Sequence, residues 1–160
     1  KNNARRDKKR STSTRNQLID NQNGPVGHNF QYGAYDAWYN ACETIAVHNA
    51  KLLLGMESSL SETMEAFQNA NAMSPFGVFG SDPLAIGSVL RNEGISYTRV
   101  RLDEMDKPGT YIISFWNTPQ IHTVAVSYDG GSYTTYNFNG HKNDLPSNYA
   151  SRYICGYYLG

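Results

Sequence analysis

The chain has 160 residues, a formal net charge of zero and an apolar content of 39%. This length fits one domain that can bury about 70% of the surface of its unfolded chain. No apolar run approaches the ~18 residues that span a bilayer, so we expect no membrane insertion. The sequence also contains no metal-ligand spacing and no phosphate-loop motif, so we expect no metal and no cofactor.

The beginning of the chain is basic and polar. Residues 1–15 carry seven lysine and arginine side chains against a single aspartate, so the remainder of this neutral chain is acidic. A basic arm can bind nucleic acid, but no aromatic side chains alternate with these charges to stack on bases. We therefore interpret residues 1–29 as a polar linker or arm, and we do not expect nucleic acid as a partner.

A helix is predicted over residues 41–54, and a cysteine lies at its beginning. Apolar side chains follow Cys42 at the spacing of one helical face, for example Ile45 and Leu53, and Gly55 ends the run. At the first turn of a helix, unpaired N–H groups and the helix dipole favour a thiolate. The alternative is a buried, inert cysteine, because free cysteine is among the most buried residue types.

Two further helices and five strands follow in the sequence. Ser59 and Glu62 fit a capping box at the beginning of a helix over residues 60–72. A proline in the first turn and a closing glycine fit a third helix over residues 82–93. Residues that favour strands then predict strands near 95–102, 110–116, 121–128, 132–138 and 153–159. Helices first and strands after predict an α+β fold with an antiparallel sheet.

The strands near 121–128 and 132–138 form one predicted hairpin, because Asp129, Gly130 and Gly131 lie between them.

Either of two possible hairpin registers places an asparagine next to His122. If Asp129 and Gly130 form the turn, His122 lies directly opposite Asn137. If Gly130 and Gly131 form it, His122 lies opposite Asn139, with Asn137 diagonal on the same face. Opposed Cβ atoms are about 4.5–5.5 Å apart, which suits an amide that orients an imidazole. The alternative is a surface hairpin with an exposed histidine.

This order of a cysteine at a helix start, more helices, and strands bearing His and Asn resembles the papain-like cysteine peptidase superfamily. It is most similar to the bacteriocin-processing peptidase domains of bacterial ABC exporters. The resemblance covers residues 30–160 and implies a papain-like fold, whose central cysteine-bearing helix packs on an antiparallel sheet. It implies a peptide or protein substrate, with Cys42 as nucleophile, His122 as base and Asn137 as the residue that orients the base; Asn139 is the alternative.

The oxyanion hole departs from the family pattern. In papain-like enzymes a glutamine shortly before the cysteine stabilises the oxyanion, but here Asp36 stands at the corresponding position. Asn40 and Gln31 are the candidates to join the main-chain N–H of Cys42 in this role. Asn40 equally fits a helix N-cap, and Gln31 equally fits a solvated side chain.

The same residues suit other functions. Deamidases and transglutaminases use a similar thiol on a glutamine side chain, and a binding module needs no catalysis. Because the chain begins with lysine, we also consider a toxin or effector domain, delivered or secreted as a fragment of a larger bacterial protein and accompanied by an inhibitory, immunity-type partner. We expect Cys42 to be reduced and Cys155 to be buried in the last strand; a disulfide between them would remove the nucleophile.

Overall fold

The computed structural model describes residues 15–20, 31–32, 35–36, 42–70, 85–117, 120–138 and 152–160. Within these ranges, helices pack against one face of an antiparallel sheet, so the α+β class expected from the order of the elements is confirmed. None of the helices in the described ranges is long and apolar enough to cross a membrane.

Three helices begin and end close to their predicted positions. The hydroxyl of Ser59 accepts a hydrogen bond from the main-chain N–H of Glu62 at 3.3 Å, which confirms the predicted cap of the second helix. That helix ends three residues earlier than predicted. The third is an α-helix from Ile86 onward, and its predicted beginning at residues 82–84 lies outside the described residues. The helices are α1 (Cys42–Leu53), α2 (Leu60–Asn69) and α3 (Ile86–Asn92), with a 3₁₀ turn at Leu102–Glu104.

Five of the described strands form one sheet, and two short strands ahead of α1 form a separate hairpin that the sequence did not predict. All pairs are antiparallel, and the larger sheet has the order β3-β7-β4-β5-β6. The chain's last strand therefore lies between β3 and β4. The strands are β1 (Gln31–Tyr32), β2 (Tyr35–Asp36), β3 (Thr98–Val100), β4 (Gly109–Asn117), β5 (Gln120–Tyr128), β6 (Tyr133–Tyr136) and β7 (Tyr153–Tyr158).

Apolar side chains form a cluster on each face of the sheet, because side chains alternate between its faces. Between sheet and helices lie side chains from both layers, including Ile45, Phe67, Leu90, Ile112 and Ala125. On the other face lie Met105, Tyr111, Ile113, Phe115, Val124 and Val126. Burial on both faces explains why β4 is an almost continuous apolar run rather than a strict alternation.

The hairpin of β5 and β6 adopts the second of the two predicted registers. Tyr128 pairs with Tyr133, and the main-chain N–H of Asp129 donates to Ser132 O at 3.3 Å. Gly130 and Gly131 therefore form the turn, and Gly130 has the positive φ of +97° that such a turn requires. The Asp129 carboxylate accepts hydrogen bonds from the main-chain N–H groups of Gly131 and Ser132, which fixes this turn.

Part of the predicted arm packs on the domain. Residues 15–20, which we call the strap, cross α1, and Ile19 is 4% exposed within the main core cluster. The side-chain amide of Asn49 pairs with both the N–H and the C=O of Ile19, each at 2.8 Å. Sequence gave no signal for this docking, because one isoleucine in a polar segment shows no periodicity.

Candidate functional site

Cys42 is the first residue of α1, and its thiol lies against the backbone of β5. The Sγ atom is 3.8 Å from the main-chain oxygen of Ile121 and also meets the main-chain N–H of Thr123. These two peptide groups flank His122 in the strand. The predicted nucleophile and the predicted base therefore belong to neighbouring parts of the structure.

The pairing of β4 with β5 shows which edge of the strand the thiol occupies. Trp116 is paired with Ile121, but its N–H donates to Arg152 O at 2.7 Å, toward β7. The 116–121 pair is thus a non-hydrogen-bonded pair, in which the N–H and C=O groups of each residue point away from the partner strand. The carbonyl of Ile121 accordingly points to the outer side of β5, where no described strand pairs beyond Ala125. Cys42 therefore lies at an edge of β5 with which no strand of the described residues pairs, and which we call the open edge.

The electrostatic surroundings of the thiol keep it protonated. The side chain of Cys42 is buried, and Sγ donates to Oε2 of Glu43 at 3.1 Å. Burial raises the pKa of Cys42 well above its usual value, and the Glu43 carboxylate raises it further, while the N–H of Thr123 acts in the opposite direction. A helix dipole contributes only about 0.3–1 kcal/mol, so the expected thiolate at the helix start does not form in this resting arrangement.

His122 lies in an aromatic environment with one of its ring nitrogens fixed. Its Nε2 is 2.7 Å from the main-chain oxygen of Asn137, and since a carbonyl only accepts, Nε2 carries the proton. Phe115 and Phe138 contact the ring, with centroids 5.7 and 5.4 Å away. Burial lowers the pKa of His122, and the Asn137 carbonyl raises it. The ring is therefore neutral near pH 7, and Nδ1 is left as its basic nitrogen.

Asn137 orients the imidazole through its main chain, whereas the sequence predicted a side-chain amide in this role. β6 ends at Tyr136, and Asn137 has a left-handed φ of +66° that turns its carbonyl toward the ring. Asparagine is one of the few residues with a side chain that tolerates this conformation. The diagonal position predicted for Asn137 in this register places it within reach of His122, and Asn139 lies outside the described residues.

The thiol and the imidazole make no hydrogen bond with each other among the described residues. His122 shares its face with Val124 and Val126, away from the helices, while Thr123 and Ala125 face α1. The thiol at the edge and the ring on the far face are thus separated by the strand backbone. A proton transfer between them requires the imidazole to rotate toward the open edge.

The other predicted site residues are placed as follows. Cys155 is free and buried, and so is Cys42, so neither forms a disulfide. The backbone of Gln31 belongs to β1, but its side chain and all of Asn40 lie outside the described residues. No group of three metal-ligating side chains occurs in the part of the chain that the structure describes.

Sequence reasoning missed two carboxylates beside the site. Glu43 is 4% exposed and bonds the thiol of the preceding residue, although neighbouring residues on a helix do not normally face each other. Asp20, in the predicted arm, accepts the main-chain N–H of Asn137 at 3.1 Å from 117 positions away. No local pattern identifies either contact. Comparison with protein-family models and with curated proteins finds no match for this chain.

Proposed function

We propose that this chain is a papain-like cysteine peptidase that uses Cys42, His122 and Asn137. The observation that carries the proposal is the position of the thiol, at the beginning of α1 and against the two peptide groups that flank the histidine. The tautomer of His122 adds support, since Nε2 is occupied by a carbonyl and Nδ1 remains as a base.

The proposed reaction begins from a neutral thiol and a neutral imidazole. When the ring turns toward the open edge of β5, Nδ1 takes the thiol proton while Sγ attacks the carbonyl carbon of a peptide bond. The main-chain N–H of Cys42, at the beginning of α1, stabilises the oxyanion together with a side-chain amide, for which Asn40 and Gln31 are the candidates. Nδ1–H then protonates the leaving amine as the C–N bond breaks, which leaves a thioester. Water, deprotonated by the same nitrogen, hydrolyses the thioester and releases the acid and the thiol.

A peptide substrate agrees with the surface next to the site. Trp116 is 45% exposed and is the cross-strand partner of Ile121, whose carbonyl meets the thiol. An exposed indole provides a large apolar contact surface with a polar N–H. It lies on β4, the neighbour of the strand whose backbone the thiol contacts, and we propose that it contacts a substrate side chain.

The protonated thiol favours one competing function, a binding module without catalysis. A catalytic cysteine needs a reactive thiolate or a base in contact with it, and here the thiol of Cys42 donates its hydrogen bond to Glu43 rather than to His122. The two functions differ in a simple observable, because only a peptidase requires His122 for the reactivity of Cys42.

The test combines cleavage with mutation. The whole chain is incubated with a diverse peptide mixture, and new N-termini are identified by mass spectrometry. We expect cleavage by the wild type and by Cys155→Ala, which changes the other buried thiol, and no cleavage by Cys42→Ala.

His122→Ala should reduce cleavage nearly as much as loss of the nucleophile, because the same ring protonates the leaving group. New N-termini that persist in Cys42→Ala would overturn the nucleophile. Release of ammonia from glutamine without new N-termini would indicate a deamidase or transglutaminase. Absence of both reactions would support the binding module.

A further inference from the structure

The strap, residues 15–20, is held on the helix that carries Cys42. Asn49 lies seven residues after Cys42, is fully buried, and pairs with both main-chain groups of Ile19 at 2.8 Å. The Ile19 side chain fills the core beneath this pair. The position of the residue that follows Ile19 is therefore determined by α1.

A second set of contacts fixes the earlier part of the strap. Nε2 of His48 lies 2.7 Å from the main-chain oxygen of Gln17 and must donate, so Nδ1 accepts from the hydroxyl of Ser58 at 2.8 Å. Asn16 and Ser58 bond each other twice, through the N–H of Asn16 and through its side-chain oxygen. Most of these contacts hold the main chain of the strap, which fixes its path across the domain.

The far end of the strap reaches the turn that orients the imidazole. Asn137 follows directly after the last residue of β6, Tyr136. Oδ1 of Asp20 accepts this N–H at 3.1 Å, and the carbonyl of the same residue accepts from Nε2 of His122 at 2.7 Å. One continuous series of contacts therefore runs from α1 through the strap to the histidine.

We propose that Asp20 is a positioning residue for His122, and that the strap connects the helix of the nucleophile to the turn of the base. By accepting the N–H of Asn137, Asp20 fixes the peptide whose carbonyl fixes the ring. The inference deepens the proposed peptidase function and rests on it for its catalytic meaning. The contact itself is independent of that function.

The experiment compares three variants of the whole chain. Asp20→Ala removes the acceptor, Asp20→Asn keeps an amide oxygen in its place, and Leu18→Ala is the matched control, since Leu18 belongs to the strap but is 45% exposed. Two quantities are measured at pH 7: the ¹H–¹⁵N NMR signal of the His122 Nε2–H, and the rate constant for alkylation of Cys42 by iodoacetamide. Thermal midpoints show whether each variant is folded.

We expect Asp20→Ala to speed the exchange of the Nε2–H with water until its signal is lost, and to slow alkylation by about tenfold, within the range of other residues that act through a catalytic neighbour. Asp20→Asn should rescue both within about twofold, and Leu18→Ala should match the wild type. A wild-type signal and rate in Asp20→Ala would overturn the proposal. Equal damage by Asp20→Asn would also overturn it, because the acceptor would then not be the function of Asp20.

A fourth variant separates this inference from the proposed function. If His122→Ala leaves the alkylation rate of Cys42 unchanged, the peptidase mechanism fails. Loss of the Nε2–H signal in Asp20→Ala but not in Asp20→Asn would still support the positioning contact in that case, and retention of the signal in Asp20→Ala would overturn it.

Discussion

Replacing Asn137 with glycine and with alanine tests whether its main chain orients His122. Both variants lose the same buried side chain and keep the same carbonyl, so the difference between them isolates the backbone. At an extended position alanine is usually the more stable by about 0.5–1 kcal/mol. At the observed φ of +66° a left-handed alanine costs about 1–2 kcal/mol. We therefore expect the glycine variant to be more stable by about 1 kcal/mol.

Urea unfolding measures this difference, and the Nε2–H signal of His122 in ¹H–¹⁵N NMR reports the contact with the carbonyl. We expect the glycine variant to keep that signal, because the bond at 2.7 Å uses no atom of the Asn137 side chain. Loss of the signal in both variants would show that the side-chain amide orients the ring. An alanine variant at least as stable as the glycine variant would refute the left-handed turn.

Three further predictions concern the thiol, the strap and pH. Glu43→Gln should accelerate alkylation of Cys42 by iodoacetamide at pH 7, because the Glu43 carboxylate raises the pKa of the thiol. An unchanged rate would contradict the contact of 3.1 Å between Sγ of Cys42 and Oε2 of Glu43. Asn49→Ala should lower the free energy of unfolding, measured in urea, by about 2–4 kcal/mol, because two hydrogen bonds to the buried main chain of Ile19 are lost. A loss below about 0.5 kcal/mol, typical of a surface site, would exclude docking of the strap. Burial lowers the pKa of both His48 and His122 below the ordinary 6.5, so the unfolded chain takes up protons before the folded chain as the pH falls. The free energy of unfolding should therefore be full above about pH 6.5 and lower at pH 5.5. A urea midpoint that is equal at pH 5.5 and 7.5 would contradict this linkage.

The resting site differs from an ion pair of thiolate and imidazolium. The thiol of Cys42 is buried and bonded to Glu43, and the neighbouring histidine is neutral, so the proposed mechanism requires two local movements. The thiol must leave the carboxylate, and the imidazole must turn toward the open edge of β5. In the proposed mechanism, substrate binding at that edge displaces the contact between Cys42 and Glu43, while Nε2 of His122 keeps its bond to the Asn137 carbonyl as the ring turns.

The sequence by itself determined the local elements and their class. A cap at Ser59, a glycine after the first helix and apolar spacing from Cys42 were sufficient to predict α1 and α2, because these signals act within a few residues. The Asp-Gly-Gly stretch predicted the hairpin, but left its register open, since both candidate turns satisfy the same local chemistry. In the structure, Gly130 and Gly131 form the turn.

Only the tertiary structure decided what surrounds the candidate site. The described pairing of β6 with β5 ends at Tyr136. The carbonyl of Asn137 reaches His122 because Asn137 is left-handed, and Asp20 contacts Asn137 from 117 positions away. The Asp20 contact joins segments far apart in the chain, for which a single sequence carries no periodic signal. The left-handed φ of Asn137 decides that its carbonyl, and not the predicted side-chain amide, contacts His122. The thiol's protonation likewise follows from burial and from the Glu43 carboxylate, both of which raise the pKa of Cys42.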